Sequence, residues 1–293
     1  MSGLNFGKVV ELKKKLDTFR PLTKIEAQKM REIERVDEVY TSNALEGNTL
    51  TRYETKMILE TGITVGEKPI KDYLEAINLN HATKFIEDLV SGKESLTERT
   101  IREIHYLVLN NVNENNQNAG RYRAEAVEIS GSKHEPPAPF LLPEKMEQLV
   151  EWSDENKDSL HPIEYAALLK QKFVSIHPFI DGNGRTGRLL MNFALTSKGY
   201  PAIVIKPDVD SKRNYNRALE HTDLTGDSTK FVTIVEEYTE AKLANMVSTL
   251  TDREVSLDRN EPSNEEKREF EELAKKYSKK MKIKYKNECM FQI

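Results

Sequence analysis

With 293 residues, 44 basic and 48 acidic side chains and a formal net charge of -4, the chain can bury one large core or two smaller ones, and it is unsuited to coating nucleic acid or an anionic membrane. A single cysteine, Cys289, excludes an internal disulfide framework and a multi-cysteine zinc site, and it suits a reducing, cytoplasmic setting. Neither an apolar signal core nor a run of about 18 apolar residues is present, so a soluble protein is expected.

In chain order, Met30, Ile33, Val36 and Tyr40 carry the three-and-four spacing of an amphipathic helix from Lys24 to Leu45, with Gly47 and Asn48 as its stop. A second helix is predicted over 70–92, ending at Gly92, and a third opens at Thr97 as its cap. Residues 121–139, "RYRAEAVEISGSKHEPPAP", break the helical pattern. Val127 and Ile129 alternate with polar neighbours before a turn-rich stretch, as in a short hairpin or exposed edge. Helix returns over 161–176 and must stop near His177, because Pro178 disfavours helical geometry at the residue before it. The next helix is predicted over 186–197, closed by Gly199 and Pro201. Helical pattern resumes over 212–246, interrupted by "HTDLTGD". The remainder is polar and charged, with seven lysines between Lys275 and Lys286, and reads as a solvated helix or frayed tail.

The stretch "HPFIDGNGRTGRLL", residues 177–190, concentrates the chemistry. Gly182 and Gly184 flank Asn183, and alternating glycines let consecutive backbone N–H groups turn inward as an anion-binding nest. The following helix directs its positive end at the same spot. Arg185 and Arg188 lie about 60° apart around the axis and are expected to converge on one polyphosphate. Arginine's planar fork suits bidentate phosphate contact. Asp181 has the wrong sign for such a nest unless it holds Mg²⁺, which takes one or two carboxylates and the substrate's own phosphates. His177 can accept a proton from an attacking hydroxyl. A lone histidine before proline is more readily a helix cap; the adjoining loop reverses the reading toward a base. The loop is neither a Walker A motif nor a dinucleotide fingerprint.

Glu46 is badly placed for a structural carboxylate. It ends a helix where the partial charge is already negative, at a cost of about 0.3 to 1 kcal/mol, so a cation is expected nearby. Ser42, one turn earlier, could hydrogen-bond Glu46 or the last turn. The bland alternative is an exposed carboxylate beside a glycine stop.

At every defined position "HPFIDGNGRTGR" matches HPFx(D/E)GNGRxxR, the signature of the Fic family, and "SNALEGN", residues 42–48, resembles that family's inhibitory motif (S/T)xxxE(G/N) in its N-terminal placement. Similarity extends through "TGITVGEKPIKDYLEAINLNHA", "GRYR" and "RNYNRALEHTDLTGD", over roughly residues 20 to 245. The resemblance implies a mainly α Fic fold with a small β-hairpin flap. It divides the chain into an N-terminal region with the inhibitory helix (1–50), a Fic core (51–250) and a charged helical tail (251–293). The implied reaction is AMPylation, in which a Ser, Thr or Tyr hydroxyl of a target protein, or of the enzyme itself, attacks the α-phosphate of ATP and pyrophosphate leaves.

By position, the resemblance makes His177 the base and Asp181 the Mg²⁺ ligand. Asn183 and the amides of Gly182 and Gly184 would hold α- and β-phosphate oxygens, Arg185 the β-phosphate and Arg188 the γ-phosphate, with Thr186 and Gly187 also at the nucleotide. Val127, Glu128, Ile129 and Ser130 would form a flap edge that aligns the target segment as an added strand and covers the nucleotide. Tyr215 and Asn216 resemble base-pocket positions; separately, Asn192 follows Arg188 on its helix and is a candidate, no more favoured than not, to approach the nucleotide. Glu46, with Ser42, would occupy Arg188 and hold the enzyme off. Two alternatives stand beside this reading: removal of AMP from a modified protein, with Glu46 positioning water, and a nucleotide-sensing module without catalysis. A homodimer is compatible with all three, while membrane and nucleic-acid partners are not expected.

Overall fold

The computed structural model describes residues 4–19, 24–64, 66–112 and 116–259. Cys289 and the lysine-rich part of the tail lie outside the described residues. The helices are α1 (Gly7–Thr18), α2 (Lys24–Leu45), α3 (Arg52–Thr61), α4 (Ile70–Gly92), α5 (Glu98–Leu109), α6 (Leu142–Asn156), α7 (Pro162–Ile176), α8 (Asn183–Ser197), α9 (Val209–Thr225) and α10 (Thr229–Arg259). The described residues up to Ala244 form one compact unit and those from Asn245 to Arg259 belong to a second, the boundary falling inside α10.

Local chemistry fixes many helix ends. Thr51 and Glu54 form a reciprocal capping box that starts α3, and Gly62 ends it in the left-handed region. Thr97 caps α5 by accepting from Thr100 N–H at 3.0 Å. Asp208 caps α9, and Gly226, at φ 77°, closes it within the interruption read from "HTDLTGD". Helices α1, α3 and α6 have no counterpart in the pattern read above. The first unit centres on α7 and α8, which are joined by the short turn after His177. Phe173, Leu169, Leu190 and Leu195 are fully buried there. At Gly187 a Cβ would meet Val174 Cγ1 at 2.9 Å, so the glycine permits the close crossing of these two helices. Helices α2, α4, α5, α6 and α9 pack on the pair.

No strand occurs among the described residues, so the expected β-hairpin flap is absent as a ladder. Residues 124–138 have no regular secondary structure, with a turn closed by Ser132 N–H to Ile129 O at 3.0 Å. Pro136 and Pro137 carry no N–H to donate across a hairpin. Side chains hold the flap instead. Arg123 donates to Pro137 O at 2.5 Å, His134 Nε2 lies 2.9 Å from Ser175 O, and Glu220 accepts from Lys133 N–H at 2.9 Å.

Along the contact of α2 with α8, Glu38, Ser42 and Glu46 follow at one-turn intervals, as do Arg188 and Asn192 opposite them. Glu38 and Ser42 also line a cavity of about 20 Å³ with Thr41, Leu79 and Thr83, large enough for one water molecule. Glu38 lies 3.4 Å from Asn192 Nδ2. Burial, reinforced by Glu34 and Glu87, pushes its carboxyl up to about 8 against the opposing pull of Asn192 and Lys242. Glu34 and Glu87 are themselves paired, with Lys242 at 2.8 Å and Arg35 at 2.7 Å. Because the folded value lies above the ordinary 4.5, the stability this proton confers is complete at acid pH and is lost as pH rises toward 8. Glu38→Gln is therefore expected to stabilise the chain by about 1 to 2 kcal/mol at pH 8 and by little near pH 4.5, read from denaturant unfolding at the two pH values.

Candidate active site

Helix α7 stops because His177 adopts the left-handed conformation, φ 49°, with its N–H still bonded to Phe173 O at 3.1 Å. The ring is half-buried. Its Nδ1 faces Val174 O at 3.3 Å, and a carbonyl can only accept, so Nδ1 carries the hydrogen and the Nε2 lone pair is left for a proton. Burial foremost, with Arg123 and His134 adding to it, holds the imidazole below its ordinary value although Val174 and Glu46 oppose this. The ring is neutral at pH 7, the state a base requires.

The turn after His177 is rigidly tied. Asn183 closes it by accepting from Phe179 N–H at 3.1 Å and donating to Phe179 O at 2.8 Å, so both ends of its amide shape the loop. His105, on α5, is a second tie. Gly120 N–H donates to its Nδ1 at 2.9 Å, so Nε2 bears the hydrogen and donates to Asp181 O at 2.8 Å. The ring stacks on Phe179 at 3.6 Å, and burial brings its pKa down to about 4, against the pull of Asp181. A third tie is Arg123, 4% exposed. Its N–H bonds Pro178 O at 3.0 Å, its Nε bonds His177 O at 2.9 Å, and its two other nitrogens reach Glu125 O and Pro137 O. One guanidinium thus joins the flap to the turn. Both roles escape a sequence reading because the partners are backbone carbonyls and amides far along the chain.

Helix α8 begins at Asn183, three residues earlier than expected, with Gly182 at φ 77° as its cap. Gly184 and Arg185 therefore belong to its first turn rather than to a loop. Thr186 is fully buried, and Gly187 faces α7, so both serve helix packing. Asp181, whose side chain is 48% exposed, accepts from Gly182 N–H at 2.6 Å and from Arg185 Nη2 at 3.4 Å, both through Oδ1. No group of three His, Cys, Asp or Glu side chains able to hold a metal occurs among the described residues. One accessible carboxylate at the mouth of an anion site fits a Mg²⁺ ion that takes its other ligands from phosphates and water.

The two arginines do not converge. Arg188 Nη2 donates to Glu46 Oε1 and to Ser42 O, each at 2.8 Å, and its Nε donates to Ser42 Oγ at 2.9 Å. Ser42 thus bonds Arg188 rather than Glu46. Arg185 is turned the other way and pairs with Glu75 at 2.9 Å, a carboxylate the sequence reading passes over. Glu46 lies so close to α8 that a Cβ at position 184 would stand 2.3 Å from its Oε1. Burial works against its charge, but Arg188, then Arg185 and Lys212, outweigh it and hold the carboxyl below its ordinary value. Lys212, bonded to Leu45 O at 2.5 Å, also supplies a cation at the C-terminal end of α2.

The base-pocket residues fare differently. Tyr215 is 3% exposed, edge-on to Phe231, with Lys170 Nζ 4.3 Å from its ring, so it has no free face for adenine. Burial and then Arg188 hold the amine of Lys170 well below its ordinary value. Asn216 is exposed on α9. Asn192 bonds the Ile203 backbone at 3.1 Å and lies 3.4 Å from Glu38. Val127 and Ile129 are partly exposed, and Glu128 and Ser130 fully so.

Residues 95–195 match the model of the Fic/DOC family. A Fic domain containing signaling protein from Bacteroides thetaiotaomicron has the same fold, with a TM-score of 0.77 and 31% identity over 84% of this chain and 98% of that one. The chain belongs to the Fic family. Fic-1 from C. elegans is similar at a TM-score of 0.74 and 30% identity, over 84% of this chain and 72% of that one. "Protein adenylyltransferase Fic" of Nematostella vectensis is 39% identical over 215 residues, 73% of this chain and 49% of its own length. The chain thus spans about half the length of the curated relatives it matches. Among the described residues, no helix of this Fic protein is long and apolar enough to cross a membrane.

Arg123 is the tie whose loss reaches furthest through this Fic site. Replacing it by alanine leaves the carbonyls of His177, Glu125 and Pro137 without this donor, and a loss of about 1 to 3 kcal/mol is expected in denaturant unfolding. Nearly unchanged unfolding would show that the flap is held by other means.

Proposed function

We propose that this Fic protein is a protein adenylyltransferase held in check by its own α2. The target hydroxyl gives its proton to His177 Nε2 as its oxygen bonds to the α-phosphorus of ATP. The bond from that phosphorus to the bridging oxygen of the β-phosphate breaks, and pyrophosphate leaves with the electron pair. The first-turn amides of α8 hold α- and β-phosphate oxygens, Arg185 serves the β-phosphate and Arg188 the γ-phosphate. Asp181 would hold Mg²⁺, which when bound offsets charge on the phosphates. The exposed segment of Val127, Glu128, Ile129 and Ser130 aligns the target by strand addition, and Asn216 borders the adenine side. Relatives named protein adenylyltransferase support the reaction class.

The observation that carries the regulatory half is the 2.8 Å bond between Glu46 and Arg188. While Glu46 holds this guanidinium, a γ-phosphate has no clamp, and ATP sits with its α-phosphate misaligned for in-line attack. A bias of a few kcal/mol keeps competent molecules at about 0.1 to 10 per cent, a range suited to a reversible switch. A carboxylate fixed beside the loop can also direct water at an AMP-modified residue, and mass spectrometry of a modified target incubated with the protein separates removal from transfer.

With labelled ATP and magnesium, Glu46→Gly is expected to raise self-modification by at least about tenfold. Adding His177→Ala should lower it by about 10² to 10⁴. Equal labelling of the parent chain and Glu46→Gly would end the inhibitory reading. Because His177 titrates below its ordinary 6.5, the acidic limb of kcat/KM for Glu46→Gly is expected to lie below that pH, and activity should hold as pH rises to 8. A limb centred above 7 would assign the base elsewhere.

A further inference from the structure

The carboxylate of Glu75 is 5% exposed on α4, and each of its oxygens accepts from a different part of the site. Oε1 takes Arg185 Nη1 at 2.9 Å, and Oε2 takes Asn48 Nδ2 at 2.9 Å. Asn48 lies two residues after Glu46, and its Nδ2 also donates to Asp72 O at 3.0 Å. Asp72, six per cent exposed, accepts from Thr49 N–H at 2.9 Å. Two buried acids of α4 therefore grip the strap that follows Glu46. The exposed Lys71 stands 3.7 Å from Glu75, outside hydrogen-bond reach.

On α8 the consequence is symmetrical. Arg185 and Arg188, less than one turn apart, are both bound to the segment 42–48: Arg188 directly through Ser42 and Glu46, and Arg185 through Glu75 and Asn48. Arg185 is 3% exposed and its Nε has no hydrogen-bond partner. Its only carboxylate partners among the described residues are Glu75 and the more distant Asp181. A buried guanidinium keeps one orientation only while a partner accepts from it, and removing that partner leaves an uncompensated charge.

We infer that Glu75 is a positioning residue of the anion site, setting Arg185 for the β-phosphate and tying that setting to the strap behind Glu46. Both partners donate, so both acceptor oxygens are needed, and only a carboxylate supplies them. Glutamine presents an amide N–H₂ to one donor and breaks one arm. This inference rests on the nucleotide reading above.

Calorimetry on the full chain carrying Glu46→Gly tests it, with AMP and ADP as probes in the presence of magnesium. Parent affinity for ADP should exceed that for AMP. Adding Glu75→Gln should weaken ADP by at least about fivefold and leave AMP within about twofold, because AMP has no β-phosphate to reach Arg185. Equal weakening of both nucleotides would mark a purely structural residue and overturn the inference, as would unchanged ADP affinity. Should Glu75→Gln fail to fold, Asn48→Ala in the same background cuts only the strap arm and should lower ADP affinity by about two- to threefold with AMP unchanged. No nucleotide binding by the parent would overturn the nucleotide reading and this inference together, whereas ADP preference that survives both substitutions overturns this inference alone.

Discussion

A carboxylate at the end of α2 and a guanidinium on α8 meet at 2.8 Å, and the arrangement of the site follows from that contact. The arginine side chain is 10% exposed and the glutamate 37%, so the pair is neither a free surface bridge nor fully desolvated. Attraction and hydrogen bonding exceed the desolvation cost by a modest margin in such a setting. That margin suits the restraint proposed above, which has to yield to a ligand. Gly184 makes the contact possible, since any side chain there would collide with Glu46. A glycine of the family motif thus also makes room for the Glu46 carboxylate.

Behind this ion pair lies a scaffold with little freedom. His105, Asn183 and Arg123 fasten the turn after His177 through backbone hydrogen bonds, and α7 and α8 cross closely at Gly187. The His177 ring is held by the same frame, its Nδ1 bonded to Val174 O so that Nε2 is the nitrogen left to accept a proton. In the proposed function, rigidity of this kind lets one small displacement, that of Glu46, decide whether an anion is gripped.

Helical periodicity, glycine stops and the cap at Thr97 were legible in the sequence because they depend on neighbours a few residues away. The partnership of Glu46 with a cation could be anticipated from the helix dipole, and resemblance named Arg188. What stayed hidden depends on contacts distant along the chain. Arg185 and Arg188 share a helix face, but Glu75 and Glu46 draw their guanidinium groups apart. The flap was read as a hairpin from alternation, yet its prolines cannot complete a ladder and side chains took over its anchoring. Tyr215 could not be known to lie beneath Lys170 and Phe231 from spacing on α9 alone.

The central claim is that Glu46 occupies the place where the γ-phosphate is gripped. Its most direct measurement is the affinity of ATP relative to ADP, with magnesium, for the unaltered chain and for Glu46→Gly. The third phosphate should add nothing to binding by the unaltered chain and at least about tenfold to binding by the variant, once Arg188 is released to it. An identical gain from that phosphate in both proteins would contradict the account.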